Sequence, residues 1–166
     1  LSNNLQIEDE FHTFTKKERV IRRPLSLHHL HKDMVDIIRS HRHEEEKKSN
    51  VKAYMTNYFL HKKYEMIDIV CNEAIDIIKS IQVKDQKGTL DKFFTFDCWG
   101  AIYQENDYTL PHTHGPALWS WVYYIEVPNN APPLYFDEAK FKVYPKPDEI
   151  ILFPGHVTHE VPKAVA

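Results

Sequence analysis

Cysteine is scarce in this sequence, and long apolar runs are missing from it. The chain has 166 residues and two cysteines, Cys71 and Cys98, which lie in segments with helical and strand patterns. A small secreted domain is commonly held together by several disulfides, so this content favours a reducing, cytoplasmic environment. No apolar run reaches the roughly 18 residues that span a bilayer, and the N-terminus lacks the charged-then-apolar order of a signal peptide. We therefore expect a cytoplasmic protein without a membrane segment.

A strong excess of charge is also missing. The formal net charge is −3, so electrostatics gives no reason to expect nucleic-acid binding. Hydrophobic residues make up 42% of the chain and aromatic residues 13%, which is typical of a folded domain. The sequence has no internal repeat and no low-complexity segment. At this length we expect a single domain over residues 1–166.

Helical periodicity is confined to the first half of the chain. Apolar spacing of three to four residues predicts one helix from about Leu30 and a second over "YEMIDIVCNEAIDIIKSI". From residue 89 the pattern changes to short aromatic and β-branched segments, namely "FFTFDCWGAIY", "LWSWVYYIEV", "PLYFD", "KFKVYP" and "EIILFPG". We therefore predict a mainly β fold, in which residues 1–88 form a helical support region against an antiparallel β core over residues 89–166.

Two of the eleven histidines stand one residue apart in "TLPHTHGPALWSWVYY". Because side chains alternate along an extended strand, His112 and His114 point to the same side and can bind one metal ion. Imidazole is a good ligand for iron, zinc, copper and nickel. A third ligand must come from another segment, and "IILFPGHVTHEV" offers His156 and His159. Three protein ligands leave coordination positions open for substrate, as in catalytic metal sites.

The order of these segments resembles the core of an enzyme superfamily. The stretch "WGAIYQENDYTLPHTHGPALWSWVYYIEVP", followed by "PLYF" and "PDEIILFPGHVTHEVP", is similar to the Fe(II)/2-oxoglutarate-dependent oxygenases, in particular to bacterial and phage members with an H-x-H…H motif. The resemblance covers residues 94–162. It implies a double-stranded β-helix, which is a jelly-roll or cupin-like core, with helices packed outside. It also implies a non-haem Fe(II) dioxygenase that uses 2-oxoglutarate as cosubstrate to hydroxylate a primary substrate not indicated by the sequence.

The resemblance implies that His112, His114 and His159 are the metal ligands and catalytic residues. His114 stands where the superfamily usually has a carboxylate, so three neutral imidazoles would leave the Fe(II) unit with a net charge of about +2. One alternative stays open here. His114 could point away while a carboxylate, either Asp137 or Glu126, takes its place. The extra histidine of the turn, at position 156, is expected at the surface rather than as a hydrogen-bonding partner of the site.

The resemblance also indicates where 2-oxoglutarate binds. Tyr103 shares its motif position with a family tyrosine that could hydrogen-bond the cosubstrate. Ser120 and Tyr124 would share a face of the next strand and line the pocket if that face points inward. Trp119 and Trp121 would then pack outside, under the helices, although the opposite phase stays open.

The basic clamp for the far carboxylate of 2-oxoglutarate is commonly an Arg about ten residues past the distal histidine. The given sequence stops seven residues after His159, and Lys163 is too near that histidine to match. Either the last strand of the core lies beyond the given sequence, or the clamp comes from elsewhere, with Arg22 and Arg23 as candidates.

Two other functions stay open at this point. One is a cupin-like three-histidine dioxygenase, which binds its substrate directly on iron and does not use 2-oxoglutarate. The other is a non-catalytic jelly-roll binding module in which the histidines are incidental. The histidines of "LHHLHKD" and "SHRH" are expected to be solvated surface residues, and no pattern indicates an oligomeric state.

Overall fold

The computed structural model describes residues 18–41, 50–82 and 93–163. The predictions for His43 and for the boundary between residues 88 and 89 lie outside these ranges. The helices are α1 (His31–Ser40), α2 (Leu60–Lys63) and α3 (Glu65–Gln82). The strands are β1 (Ile21–Pro24), β2 (Val51–Lys52), β3 (Tyr54–Met55), β4 (Ala101–Ile102), β5 (Tyr108–His112), β6 (Trp119–Tyr124), β7 (Leu134–Phe136), β8 (Phe141–Val143), β9 (Glu149–Pro154) and β10 (His159–Val161).

The strands form two main antiparallel sheets and one short ribbon. The first sheet has the order β1-β9-β6, and the second has the order β2-β5-β10-β7-β8. Strands β3 and β4 pair separately. The protein is thus mainly β with few helices, as the sequence predicts, and its strand pairs are antiparallel.

Strand β9 forms the centre of the core. Four successive residues, Ile150 to Phe153, are fully buried, because both faces of the first sheet are covered. Ile150 and Leu152 pack with the α3 residues Ala74, Ile77 and Ile78. Ile151 and Phe153 face the other way and pack with residues of β7 and β8 between the two sheets. The continuous apolar run of β9 is therefore explained by burial on both sides.

Helix α3 covers the outer face of the first sheet. Its predicted apolar stripe is buried along most of its length, at Ile67, Val70, Cys71, Ala74, Ile77 and Ile78. The helix runs over Glu65–Gln82, close to the predicted range. Among the described residues, no helix combines the length and apolar composition that crossing a bilayer requires.

Two local predictions are wrong. The described part of the N-terminal half contains three strands besides its helices, and β1 and β2 extend the two main sheets at their edges. The segment "FFTFDC" was predicted as a strand, but it pairs only at Cys98, which bridges Phe59, and Phe94 and Phe96 are largely exposed. Its alternating pattern is suitable for a strand, but a strand forms only where a neighbouring backbone is available for pairing.

Candidate metal centre

Two of the candidate ligands are brought together by strand pairing. His112 is the last residue of β5 and His159 the first residue of β10, and these antiparallel strands pair with His112 directly opposite His159. Directly opposed residues have side chains on the same side of the sheet. Their rings are accordingly in contact, with centroids 4.3 Å apart.

The third ligand is positioned by a loop. His114 follows β5 by two residues, and its backbone N–H donates to the Gly155 carbonyl at 2.8 Å. The Gly155 N–H in turn donates to the Leu118 carbonyl at 3.1 Å. A Cβ on Gly155 would lie 2.0 Å from the Ala117 carbonyl oxygen, so only glycine permits this approach. The turn after β9 thereby holds the loop that carries His114.

Backbone carbonyls fix the ring orientation of two of these histidines. His112 Nδ1 lies 2.8 Å from the Leu110 carbonyl oxygen, and His159 Nδ1 lies 2.9 Å from that of Val157. A carbonyl can only accept, so each Nδ1 carries the proton and each Nε2 presents a lone pair. This leaves the Nε2 atoms available for a metal ion, in the manner of metal-bound histidines with a hydrogen-bonded second nitrogen.

The three imidazoles converge on one point. His114 Nε2 lies 3.1 Å from His159 Nε2, and a set of one nitrogen from each of His112, His114 and His159 lies within 4.8 Å. Among the described residues, no carboxylate or thiolate belongs to this group. The three histidines indicated by the sequence thus lie where they could hold one metal ion.

The base of the centre is buried and aromatic. His159 is 4% exposed, whereas His112 and His114 are half-buried. The Phe153 ring lies 4.5 Å from the His159 ring and the Phe136 ring 6.4 Å from it. Burial lowers the pKa of His159 to about 4, so this imidazole is neutral at pH 7 and does not have to lose a proton before it binds a metal.

The alternative ligands lie outside the cluster. Glu126 is exposed, and its side chain approaches Arg39 at 3.8 Å. Asp137 lies near His159 and its charge acts on that ring, but it does not join the group. His156 is exposed, as predicted, and it pairs with Glu18 at 2.7 Å.

Two of the three residues predicted to line a cosubstrate pocket, Ser120 and Tyr124, lie on one face of β6. Val122 and Tyr124 of β6 pack against the cluster between the two sheets, and Ser120 shares their face by alternation. Trp119 and Trp121 pack on the other face, with the α3 cluster. Tyr103 hydrogen-bonds the buried Thr109, whose hydroxyl is 2.5 Å away; Thr109 was not singled out from the sequence.

Electrostatics places Tyr103 and Tyr124 in one neighbourhood. Burial raises the pKa of Tyr124, and the nearby Tyr103 raises it further. Burial also raises the pKa of Tyr103. Both phenols therefore stay protonated at neutral pH and can donate hydrogen bonds.

The candidate clamp residues already have partners or lie elsewhere. Arg22 binds Glu149, with its Nε 2.7 Å from Oε1, and it donates to the Tyr144 carbonyl at 2.9 Å. Arg23 alternates with Arg22 along β1 and so projects from the other face of the strand. The Lys163 ammonium lies over the Tyr108 ring, 5.0 Å from its centroid.

The prediction that the histidines of "LHHLHKD" and "SHRH" are solvated surface residues is partly wrong. His31 Nε2 lies 2.6 Å from the Tyr123 hydroxyl, and His41 is buried with its Nε2 2.6 Å from the Tyr64 hydroxyl. These two histidines are structural, and the expectation of solvated rings is wrong for them. Each meets its tyrosine only through tertiary packing, which no local pattern reports.

One aromatic pair beside the centre was missed from the sequence. The Trp99 ring lies 6.0 Å from the His114 ring, and the Tyr58 ring lies edge-on to Trp99 at 5.2 Å. Tyr58 comes from the segment before α2, so its approach depends on long-range packing. These two residues are called the aromatic wall below.

The fold is similar to that of a solved enzyme structure. The crystal structure of the viral collagen prolyl hydroxylase vCPH from Paramecium Bursaria Chlorella virus-1, in its 2OG complex, superposes with a TM-score of 0.65 at 15% sequence identity. The match covers 89% of this chain and 90% of that chain. No protein-family model matches the sequence, and no curated protein sequence matches it.

Proposed function

We propose that this protein is a non-haem Fe(II)- and 2-oxoglutarate-dependent dioxygenase that hydroxylates its primary substrate. The observation that carries the proposal is the convergence of His112, His114 and His159. It occurs in a fold similar to that of a prolyl hydroxylase solved in its 2OG complex. In this proposal the whole chain is one domain, and the two sheets are the two layers of a double-stranded β-helix.

The donor set is suitable for iron. Two nitrogen ligands that bind one ion at about 2.1 Å and at a right angle lie about 3.0 Å apart. The separation of 3.1 Å between His114 Nε2 and His159 Nε2 is close to that value. Neutral imidazoles bind first-row divalent metals, and three of them leave positions for two further molecules. An Fe(II) ion held there would supply the redox chemistry that couples oxidative decarboxylation of 2-oxoglutarate to hydroxylation of a C–H bond.

The protein's own contribution is orientation and exclusion of water. The Leu110 and Val157 carbonyls hold the rings of His112 and His159 in place. The buried Phe136 and Phe153 keep water from the inner side of His159. A rigid, apolar base of this kind limits side reactions at a reactive centre.

Three hydroxyl-bearing residues on or near the inner face of β6 are the candidates to bind 2-oxoglutarate. Tyr103, Ser120 and Tyr124 offer hydroxyl donors, and the Tyr103 hydroxyl is already positioned by Thr109. Arg22 acts electrostatically on Tyr124, but its charge is balanced by Glu149. We infer that, among the described residues, hydroxyl groups are the main groups that bind the cosubstrate.

The deciding experiment is anaerobic addition of 2-oxoglutarate to the Fe(II)-loaded protein. We expect a visible charge-transfer band of the chelate, together with oxygen uptake that depends on 2-oxoglutarate. Succinate and CO2 should form even in the absence of primary substrate, through uncoupled turnover. Absence of the band at saturating 2-oxoglutarate would reject the proposal.

A second candidate is favoured by the composition of the centre. No carboxylate is in the ligand group among the described residues, as expected for a cupin-like three-histidine dioxygenase that does not use 2-oxoglutarate. The same experiment separates the two candidates. That enzyme would bind Fe(II), show no chelate band, and take up oxygen only with its own substrate.

A further inference from the structure

The two sides of the histidine cluster are different. On the side of His159, the neighbouring rings of Phe136 and Phe153 are fully buried. On the side of His114, the aromatic wall of Tyr58 and Trp99 is only half-buried. The aromatic wall therefore lies on a side of the cluster that is more open to solvent than the side of His159.

Trp99 is held rigidly by its backbone neighbours. The Cys98 N–H donates to the Tyr58 carbonyl at 2.8 Å, and the Leu60 N–H donates to the Cys98 carbonyl at 3.0 Å. On the other side, the Gly100 N–H donates to Thr56 Oγ1 at 3.0 Å. Both residues that flank Trp99 are thus fixed to the chain around Tyr58, so the indole needs little reorganisation when it binds a partner.

Packing of the core does not account for the position of Trp99. Of the three tryptophans of the chain, Trp119 and Trp121 pack against buried clusters. Among the described residues, Trp99 belongs to none of the three core clusters and contacts Tyr58 and His114 instead. A large aromatic residue that is rigid, half-buried and beside a candidate metal centre is arranged as a binding surface rather than as core.

We propose that Trp99, supported by Tyr58, is a substrate-binding residue that selects an uncharged ring or apolar chain of the primary substrate. The inference rests on the proposed function, because it concerns the second molecule bound at that centre. The face of an indole ring carries partial negative charge and disfavours anions. A cation would be attracted by that face, but a divalent ion on the three histidines, before a dianionic cosubstrate neutralises it, places positive charge beside the wall and opposes it. With anions and cations disfavoured, the aromatic wall favours a neutral apolar group of the substrate.

The test compares two ring probes of opposite character on the Zn(II)-loaded protein. Neutral cyclohexanecarboxamide and cationic cyclohexylammonium have the same ring, and their binding is measured by ligand-observed NMR titration. We expect the amide to bind more tightly than the ammonium. Trp99→Ala should weaken amide binding at least tenfold, Trp99→Phe should weaken it less, and Phe141→Ala, which removes an exposed aromatic ring on β8, should leave it unchanged.

Two results would overturn the inference. One is equal binding of the amide to the wild type and to Trp99→Ala, and the other is tighter binding of the ammonium than of the amide. If Trp99→Ala does not fold, Trp99→Gln takes its place with the same expected loss. The chelate band with Fe(II) and 2-oxoglutarate should persist in the Trp99 variants. If the wild type binds the amide but shows no chelate band, the oxygenase proposal is rejected, whereas the binding role of the aromatic wall stands.

Discussion

His114 Nε2 and His159 Nε2 lie 3.1 Å apart although 45 positions separate the two residues in the chain. Because His159 Nδ1 carries the proton that is shared with the Val157 carbonyl, its Nε2 lone pair points at the other imidazole. A second lone pair at that distance is repulsive unless a proton or a cation lies between the two nitrogens. The fold thus places two ligand atoms at the separation that one ion requires.

Removal of one imidazole should abolish tight metal binding. We expect His114→Ala to weaken the affinity for Zn(II) or Fe(II) by at least about 100-fold, because loss of a ligand costs more than loss of a ligand's hydrogen-bonding partner. The measurement is calorimetric titration of metal into chelator-treated protein. His156→Ala is the matched control, since His156 is near in sequence but is paired with Glu18 outside the cluster. Equal losses in both variants would contradict this assignment.

The glycine of the turn after β9 should be essential for the position of His114. We expect Gly155→Ala to lower the free energy of unfolding by about 1–3 kcal/mol, the usual cost of overpacking, since the new Cβ would lie 2.0 Å from the Ala117 carbonyl oxygen. Metal affinity should fall as well, because the same loop carries His114. Both quantities are measured by urea denaturation and metal titration.

Gly115 provides the control for that substitution. It lies in the same loop, and a Cβ there would meet no atom within 4 Å. Gly115→Ala should therefore change stability by less than about 0.5 kcal/mol. If the two glycine variants behave alike, steric closeness at Gly155 is not what positions the loop.

The sequence predicts the parts of this fold that local periodicity determines. The apolar stripe of α3 predicts a helix that is buried on one face. The continuous apolar run of β9 predicts a strand that is buried on both faces. The short strands β2, β3 and β4 each have two residues, which is too few to show a period. They form because other strands are near, so no pattern within them could predict them.

The candidate site likewise contains residues that a local pattern predicts and residues that only long-range packing brings together. The spacing of His112 and His114 indicates a shared ligand position, and resemblance adds His159. Thr109 has no such signal, because its role depends on the contact with Tyr103. Trp99 opens the stretch that carries the resemblance, but its contact with Tyr58 follows only from packing. A local sequence pattern identifies residues with strong chemistry of their own, but it does not identify neighbours that act through packing.

The Tyr103 hydroxyl should affect binding of 2-oxoglutarate specifically. We expect Tyr103→Phe to raise the dissociation constant for 2-oxoglutarate by about tenfold, the usual effect of one lost hydrogen bond to a charged group. Metal affinity should not change, because Tyr103 is not a member of the ligand group. The chelate band gives the measurement. Tyr108→Phe is the control, since Tyr108 lies beneath Lys163; an equal effect there would contradict a direct role of Tyr103.

Asp148 connects the start of the described chain to the first sheet. Its carboxylate accepts hydrogen bonds from the backbone N–H groups of Ser26 and Leu27, at 2.8 and 2.7 Å, and from the Tyr123 hydroxyl at 2.7 Å. Burial alone would raise the pKa of Asp148, but these donors outweigh it and hold the pKa below the ordinary value of 3.8. The ionised carboxylate therefore stabilises the folded state.

This stabilisation should be lost in acid. We expect Asp148→Asn to lower the free energy of unfolding by about 1.5–3 kcal/mol at pH 7; asparagine tolerates the φ of 64° at this position. Because the folded pKa is depressed, the wild-type advantage is complete above pH 3.8 and decreases as the pH falls through the folded pKa. Urea denaturation of both metal-free proteins at pH 7 and pH 2.5 measures the difference, from which the contribution of the histidines away from Asp148 cancels. His28 and His31, at 3.5 and 3.8 Å from the carboxylate, act through its charge and belong to the difference. Glu126→Gln, at an exposed pair with Arg39, should change stability by less than about 0.5 kcal/mol. A gap between wild type and Asp148→Asn that is the same at both pH values would show that the charge of Asp148 does not stabilise the fold.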